Sequence, residues 1–249
     1  MGLFSFINKN KSLPQQIKSN YTVDIHSHVI PHIDDGAIST EESNQMIGFM
    51  MQNGIRKIIA TPHISLDFPK NTSERITSHF ERFKAKLLKA AIDIGVDVAA
   101  EYMIDDGFRT LFEKGDLLTF GNKFLLVELS GFSQHPDFSA LLFELQSSGY
   151  HIVLAHPERY TFFHDDLPAY KALKDREVFF QMNLLSLTDI YSSEVNKAAK
   201  WLIENQMVDF IGSDMHHQSQ FAFYKKAFAG KLFEKLTRTN AIKNNDFLD

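Results

Sequence analysis

Two histidines stand one residue apart in "VDIHSHVIPHIDDG", and two aspartates and a glycine follow shortly after. Imidazole nitrogens and carboxylate oxygens are donors for divalent metal ions. If the strand "YTVDIH" runs on through the second histidine, alternation puts Asp24, His26 and His28 on one face and Val23 and Ile25 on the other. Two imidazoles then converge on one point. For this motif alone, a hydrogen-bonded pair of loop histidines explains the spacing equally well. The pattern recurs, however. Apolar runs end in His63 ("IIATPH"), Glu101 ("DVAAE"), Glu128 ("FLLVE"), His156 ("IVLAH"), and Asp214 with His216 ("DFIGSDMH"). Solvation alone would scatter polar residues over both ends of the strands. The C-terminal edge of a parallel α/β sheet is where active sites are built.

His26, His28, Asp35, His63, Glu101, Glu128, His156, Asp214 and His216 are too many for one ion, because a catalytic zinc commonly takes three protein ligands. The set suits two or three ions. The chain has no cysteine, so thiolate sites, disulfides and a cysteine nucleophile are excluded, and manganese, iron, zinc or magnesium are the fitting metals. Asp35 closes the site from the loop above the first strand, where Gly36 permits a sharp turn. Asp34 competes with it, or caps the loop. Arg159, three residues after His156, can clamp an anion through two parallel donors; a surface salt bridge is its plainer reading. An Asp or His of the ligand set, with Asp35 and His216 as candidates, can protonate a leaving group.

The elements that must position these donors alternate. Strand-like runs lie at "YTVDIH", "RKIIATPH", "VDVAAEY", "KFLLVELS", "HIVLAHP", "EVFFQMN" and "MVDFIGSD". Between the first two, "STEESNQMIGFMMQNG" reads as a helix with a capping box of Ser39 and Glu42. Its apolar face is Met46, Ile47, Met50 and Met51, and Gly54 is its stop. A long helix with Ile76, Phe80, Phe83 and Leu87 on one stripe is expected to end at Gly95. Later helices centre near Leu141, Tyr170 and Trp201. Strands alternating with helices indicate parallel βαβ units, and seven units without a linker suit a barrel. The expected organisation is a lead-in segment over residues 1–20 and one barrel domain over residues 21–249.

The 249 residues are 44% hydrophobic with a formal net charge of -5, which argues against disorder and against general nucleic-acid binding. No run is long enough to span a bilayer, and the N-terminus lacks the marks of a signal peptide. Leu3, Phe4, Phe6 and Ile7 leave a weak membrane-surface or partner contact open. The absence of cysteine fits a reducing compartment.

Together, "DIHSHVIPHIDDG", "TPH", "AAEY", "VEL", "AHPERY" and "GSDMH" resemble the polymerase-and-histidinol-phosphatase (PHP) superfamily. Within it they resemble the bacterial metal-dependent protein-tyrosine phosphatases of capsule and exopolysaccharide clusters. The matching motifs run from Asp24 to His216. The resemblance implies a distorted TIM-like (β/α)7 barrel with a trinuclear, often manganese, centre at the C-terminal ends of the strands. It implies a phosphotyrosine protein as substrate, on the tail of a bacterial tyrosine kinase controlling polysaccharide export, and a cytoplasmic enzyme near the inner membrane through that partner. An oligomer stays open. His26 and His28 match the first motif, Asp35 the DDG carboxylate, His63 the second-strand histidine, Glu101 and Glu128 the glutamates, His156 with Arg159 the HPxRY element, and Asp214 with His216 the final DxH. The loops "ISLDFPK" and "HQSQFAF" depart from the pattern. Some relatives carry basic residues there; here Lys70 could reach the site, from some distance along the chain.

On this reading hydroxide held by the metals attacks phosphorus in line with the leaving phenolate. The rival activities are a phosphatase of a small ester such as histidinol phosphate, a metal-dependent nuclease, and a non-catalytic regulator; idle buried ligands count against the last. His151 lies at the wrong end of its strand and His79 in a helix, while His32, His135, His164 and His217 are loop residues without a role. Phe132, Phe162 and Phe163 are expected to pack rather than to stack on a substrate ring. "YKKAFAGKLFEKLTR" reads as a solvated helix face that could instead meet an acidic kinase tail.

Overall fold

The computed structural model describes residues 21–248; the lead-in segment with Leu3, Phe4, Phe6 and Ile7 lies outside them. Among the described residues, nine strands, all parallel to their neighbours, form two ladders. One is β1 (Val23–Asp24), β2 (Lys57–Ala60) and β4 (Gly95–Val98) in the order β1-β2-β4. The other is β3 (His63–Ile64), β5 (Glu101–Met103), β6 (Phe124–Glu128), β7 (His151–Ala155), β8 (Phe179–Asn183) and β9 (Phe210–Gly212), in that order. The second and third expected strands are thus each broken in two, at Thr61–Pro62 and at Ala99–Ala100. Pro62 has no N–H to give to a ladder, so the break at that point follows from its ring. The backbone still bridges both breaks, through Ala99 N–H to Ala60 O at 2.9 Å and Glu101 N–H to Pro62 O at 3.2 Å.

The ladders do not form an unbroken ring. A parallel bridge from Ser27 to Met215 nevertheless joins the chain beyond β1 to the chain beyond β9. Asp214 N–H donates to His26 O at 2.7 Å and His28 N–H to Met215 O at 3.0 Å. These bonds curl the sheets into the distorted (β/α)7 barrel expected from the sequence.

Alternation decides what each strand faces. Val23, Ile25, Ile59, Leu126, Val153, Ala155 and Phe210, from five different strands or the chain just beyond them, pack against one another. Their neighbours Ile58, Leu125, Val127, Ile152, Leu154, Phe180, Met182 and Ile211 pack outward with the helices. The helices are α1 (Thr40–Gln52), α2 (Ser73–Lys89), α3 (Phe108–Glu113), α4 (Phe138–Ser147), α5 (Ala169–Lys174), α6 (Ser193–Glu204), α7 (Phe221–Phe228) and α8 (Lys231–Thr239).

Helix α1 starts as the sequence suggests, with Ser39 Oγ accepting from Glu42 N–H at 3.1 Å. The reciprocal half of the capping box is missing. The Glu42 carboxylate instead accepts from Ile38 N–H at 3.1 Å and from Gln218 N–H at 3.2 Å, tying the helix to the loop after β9. Met46, Ile47 and Met50 are buried, but Met51 is exposed and does not belong to the apolar face. Gly54, at φ 95°, follows the C-cap Asn53, the left-handed stop that glycine allows. Helix α2 buries Ile76, Phe80, Phe83 and Leu87 but ends at Lys89, not at Gly95. Ala91 takes the left-handed conformation, at φ 53°, and Gly95 opens β4.

Candidate metal centre

The first donors come from the chain just beyond β1. The strand stops at Asp24, so His26 and His28 do not converge by strand alternation. The bonds to Asp214 and Met215 hold this stretch instead, and bring the two Nε2 atoms within 3.3 Å. Asp24 does not join them. Its carboxylate accepts from Ser213 N–H at 2.8 Å, Ser213 Oγ at 2.5 Å and Tyr21 OH at 2.9 Å, and so pins β1 to the chain leaving β9.

Alternation does place the donor of β6, because Glu128 follows Leu126 on the face toward the barrel axis. Glu101 opens β5 beside His63, its partner in the ladder. His156 and Asp214 leave their strands in left-handed conformations, at φ 32° and 53°. Such backbone is costly for residues other than glycine, and it persists where surrounding structure enforces it.

Glu101 is the centre of the arrangement. Its Oε2 lies 3.1 Å from His26 Nε2, 3.2 Å from His63 Nδ1 and 3.5 Å from His28 Nε2. Its Oε1 lies 3.0 Å from His156 Nε2. Asp214 Oδ1 stands 3.4 Å from His26 Nε2 and 3.5 Å from both His28 Nε2 and His216 Nδ1. Glu128 reaches His63 Nδ1 at 3.3 Å, and Asp35 reaches the Nε2 atoms of His63 and His216, each at 3.5 Å. The floor of His26, His28, Glu101, His156 and Asp214 is buried. His63, Glu128 and His216 are half-buried, and Asp35 stands at the open rim.

These donors fit divalent metal. Three overlapping groups, each with donor atoms within 4.8 Å of one another, can be drawn: His28, Asp35, His63 and His216; His26, His28, Glu101 and Asp214; His63, Glu101 and Glu128. The deciding atom is Glu101 Oε2. It is buried and makes no directional hydrogen bond, although three ring nitrogens surround it. With the imidazoles neutral, their lone pairs and those of the carboxylate face one buried region, which suits a cation.

The electrostatics agree. Burial opposes charge on His26, yet the Glu101 and Asp214 carboxylates outweigh it and raise its pKa to about 9. Burial likewise opposes charge on His28, and Asp34 leads the groups that push it well above its ordinary value. Despite burial, the surrounding imidazoles hold Glu101 and Asp214 well below the usual carboxylate range. Asp35 is lowered to about 2, chiefly by its hydrogen bond with His216. Without metal, the protons on the imidazoles serve as counter-charges, and a divalent ion would displace them.

Supporting residues complete the site. His26 Nδ1 meets Gln181 Oε1 at 2.7 Å, and the same oxygen accepts from His156 N–H at 3.3 Å. His28 Nδ1 meets Asp34 Oδ2 at 2.7 Å, and that oxygen also accepts from His63 N–H at 3.1 Å. Such partners fix the tautomer and aim of a ligating imidazole. Asp34 Oδ1 accepts from Gly36 N–H at 3.0 Å, so Asp34 caps the loop, orients the His28 imidazole and holds the His63 backbone. Asn183 Nδ2 donates to Asp214 Oδ2 at 2.7 Å.

Gln181 and Asn183 escaped the sequence reading, though two amides spaced two apart at the end of "VFFQMN" were a signal. Gly36 is needed for closeness rather than for an unusual φ, since a Cβ there would sit 2.2 Å from His28 O. Gly212 is needed for the same reason, because its Cβ would meet Gln181 Nε2 at 2.5 Å and His26 Cβ at 2.6 Å.

Arg159 is at the site and is also an ion pair. Nη1 donates to Asp214 Oδ2 at 2.9 Å, the Tyr191 ring centroid lies 5.1 Å from its guanidinium carbon, and the side chain is 37% exposed. Phe163 packs in the core and Phe162 against it, as expected. Phe132 is 85% exposed and does not. It lies in the loop between β6 and α4. His151, exposed at the start of β7, is at the far end from the site.

A family model described as capsular polysaccharide synthesis, CpsB/CapC, matches residues 22–241. The chain belongs to the CpsB/CapC family. Among curated relatives, the tyrosine-protein phosphatase YwqE of Bacillus subtilis is 30% identical over 225 residues, covering 86% of this chain and 88% of YwqE. The tyrosine-protein phosphatase CpsB of Streptococcus pneumoniae is 27% identical, covering 78% of this chain and 83% of CpsB. A solved structure matches with a TM-score of 0.78 at 26% identity, covering 91% of this chain and 90% of the other. It comes from work on YwqE and CpsB as unique metal-dependent tyrosine phosphatases. The CpsB/CapC match spans every donor from His26 to His216.

Proposed function

We propose that this chain is a metal-dependent protein-tyrosine phosphatase. The observation that carries the reading is the buried, unsatisfied Glu101 Oε2 ringed by histidine nitrogens, in a chain 30% identical to a tyrosine-protein phosphatase. His26, His28, Asp35, His63, Glu101, Glu128, His156, Asp214 and His216 would hold two or three divalent ions, manganese first among the candidates. Such ions neutralise phosphate oxygens and lower the pKa of water toward about 7.

The chain's own residues do the rest. Gln181 and Asp34 hold the imidazoles of His26 and His28 with their Nε2 atoms turned inward. Arg159 presents guanidinium donors beyond its bond to Asp214 and clamps the phosphate. Asp35 and His216, 3.5 Å apart beside the open rim, are the residues placed to deliver a proton to the leaving phenolate oxygen. No thiol nucleophile is available, so the phosphoryl group goes directly to water.

The physiological substrate on this reading is a phosphotyrosine protein of the capsule or exopolysaccharide system, the tail of a bacterial tyrosine kinase, met in the cytoplasm near the inner membrane. Among the described residues, no helix is long and apolar enough to cross a membrane.

One side-by-side assay tests the proposal: phosphotyrosyl and phosphoseryl peptides of matched sequence, histidinol phosphate and single-stranded DNA, each with manganese and with chelator. Turnover confined to the phosphotyrosyl peptide and abolished by chelation is expected, with about two or three metal equivalents bound. Better turnover of histidinol phosphate or DNA moves the chain to another chemistry. Full activity of metal-free protein overturns the mechanism.

A further inference from the structure

A groove of about 610 Å³ opens beside the candidate metal centre, between the loop that leads from β8 into α6 and the helices α7 and α8. Tyr191 belongs to both places. Its ring lies against the Arg159 guanidinium, with 5.1 Å from centroid to guanidinium carbon, and it also lines the groove. The phosphate clamp and the groove are therefore separated by one side chain.

The wall is built rather than loose. Asn196 Nδ2 donates to Ser186 O at 3.1 Å and to Thr188 O at 3.3 Å, Thr188 Oγ1 donates to Leu185 O at 2.7 Å, and Ser192 Oγ caps α6 by accepting from Val195 N–H at 3.3 Å.

Three lysines line the groove, Lys200, Lys226 and Lys231, against one aspartate, Asp189. Asp189 is used by Lys226, at 2.6 Å. Lys200 and Lys231 are exposed and make no ion pair among the described residues. The chain as a whole carries a net charge of -5, so this local excess of positive charge runs against the average of the surface. Leu187 and Leu232 add apolar lining. Surface of this kind suits an extended peptide with carboxylates set among small or apolar side chains.

We propose that the groove is a docking subsite for acidic residues flanking the phosphotyrosine, and that it gives the enzyme a preference for acidic phosphotyrosyl segments. The proposal rests on the phosphatase reading above and names its substrate class. An extended peptide advances roughly 3.3–3.6 Å per residue. A carboxylate a few positions from a phosphotyrosine at Arg159 can thus pass Tyr191 and meet Lys200 and Lys231. Exposed ion pairs are individually weak and are screened by salt. The effect belongs to discrimination between substrates, not to the chemical step.

The experiment uses the metal-loaded full chain and three phosphate esters. They are a phosphotyrosyl peptide with Glu at positions two to four on either side, the same peptide with Gln, and p-nitrophenyl phosphate, which is too small to reach the groove. Wild type should favour the Glu peptide in kcat/KM by about three- to tenfold at low salt, and the preference should shrink at high salt. The double variant Lys200→Glu with Lys231→Glu should lose or invert it, with p-nitrophenyl phosphate turnover within about twofold of wild type. Both positions are exposed, and a carboxylate in the first turn of α8 suits the helix dipole, so folding is not at risk. Equal rates on the two peptides, or a preference that survives in the variant, overturns the proposal. If none of the three esters is hydrolysed, the phosphatase reading itself fails and the subsite falls with it.

Discussion

The two ends of the barrel are made by the same strands and have opposite chemistry. At the C-terminal ends, imidazoles and carboxylates crowd round Glu101. Toward the N-terminal ends, Phe120, Phe124, Phe179, Phe210 and Phe247 close the barrel, with Phe120 edge-on to Phe210 at 6.3 Å and to Phe247 at 5.1 Å. Phe124 and Glu128 stand on the same face of β6, four residues apart. One end is closed mainly by ring-to-ring contact, with the Lys174–Asp209 pair at its margin. The other holds buried charges that balance one another only in part, and Glu101 Oε2 has no hydrogen-bond partner. The aromatic end packs without a ligand, while on the proposed function a cation would complete the charged end.

That contrast can be broken at either end. Removing the shared carboxylate should have the largest effect. Glu101→Gln keeps the shape and removes the charge from two of the three donor groups, so kcat/KM should fall by more than about a thousandfold, over 4 kcal/mol. Metal content should fall with it, and thermal stability measured in chelator should fall as well, because His26 loses the carboxylate that does most to raise its pKa. A variant that keeps metal and rate would remove Glu101 from the centre.

Phe210→Ala works the opposite end. Truncating a fully buried ring should cost about 3–5 kcal/mol in denaturant unfolding, with kcat per folded, metal-loaded molecule unchanged. A large loss of kcat would mean that the two ends are coupled more tightly than their separate packing implies.

Arg159→Ala should lower kcat/KM by roughly ten- to a thousandfold, about 1.4–4 kcal/mol. Arg159→Lys should recover only part, since a point charge does not replace two parallel donors. Because Nη1 also pairs with Asp214, metal analysis must accompany the kinetics. If the rate falls only in step with lost metal, the arginine serves Asp214 and not the phosphate.

Smaller effects sharpen the picture. Gln181→Leu leaves His26 Nδ1 without its 2.7 Å partner and should weaken metal binding by about ten- to a hundredfold, visible in a chelator competition.

In metal-free protein the His26 pKa is raised from 6.5 to about 9. A raised imidazole pKa stabilises the fold fully below the unfolded value, and that contribution is lost as pH climbs through the folded one. The Tm of chelated protein should therefore decline between about pH 6.5 and 9, and saturating metal should flatten the decline. The same slope in Phe210→Ala would confirm that it originates at the charged end. A flat profile for chelated wild type would remove His26 from the linkage.

Much of this was legible in the chain. Short apolar runs ending in His, Glu or Asp marked strands and the edge on which their donors lie, because the parallel βαβ arrangement follows from the alternation of strand and helix along the chain. Ser39 at the start of α1 and Gly54 beyond its end were readable because caps and left-handed stops are local.

Tertiary structure alone decided the rest. The break at Ala99–Ala100, and the bonds from His26 and His28 to Asp214 and Met215, depend on how distant strands come into register. Asp34 is an orienter and Asp35 a rim donor because the loop turns between them while Gly36 lies against the His28 backbone. Gln181 and Asn183 became part of the site only when β8 came to lie between β7 and β9. Residue type and spacing specify which donors exist and which way a strand presents them. Which donors meet depends on contacts between segments far apart in the chain, and those are settled by the packing of the whole barrel.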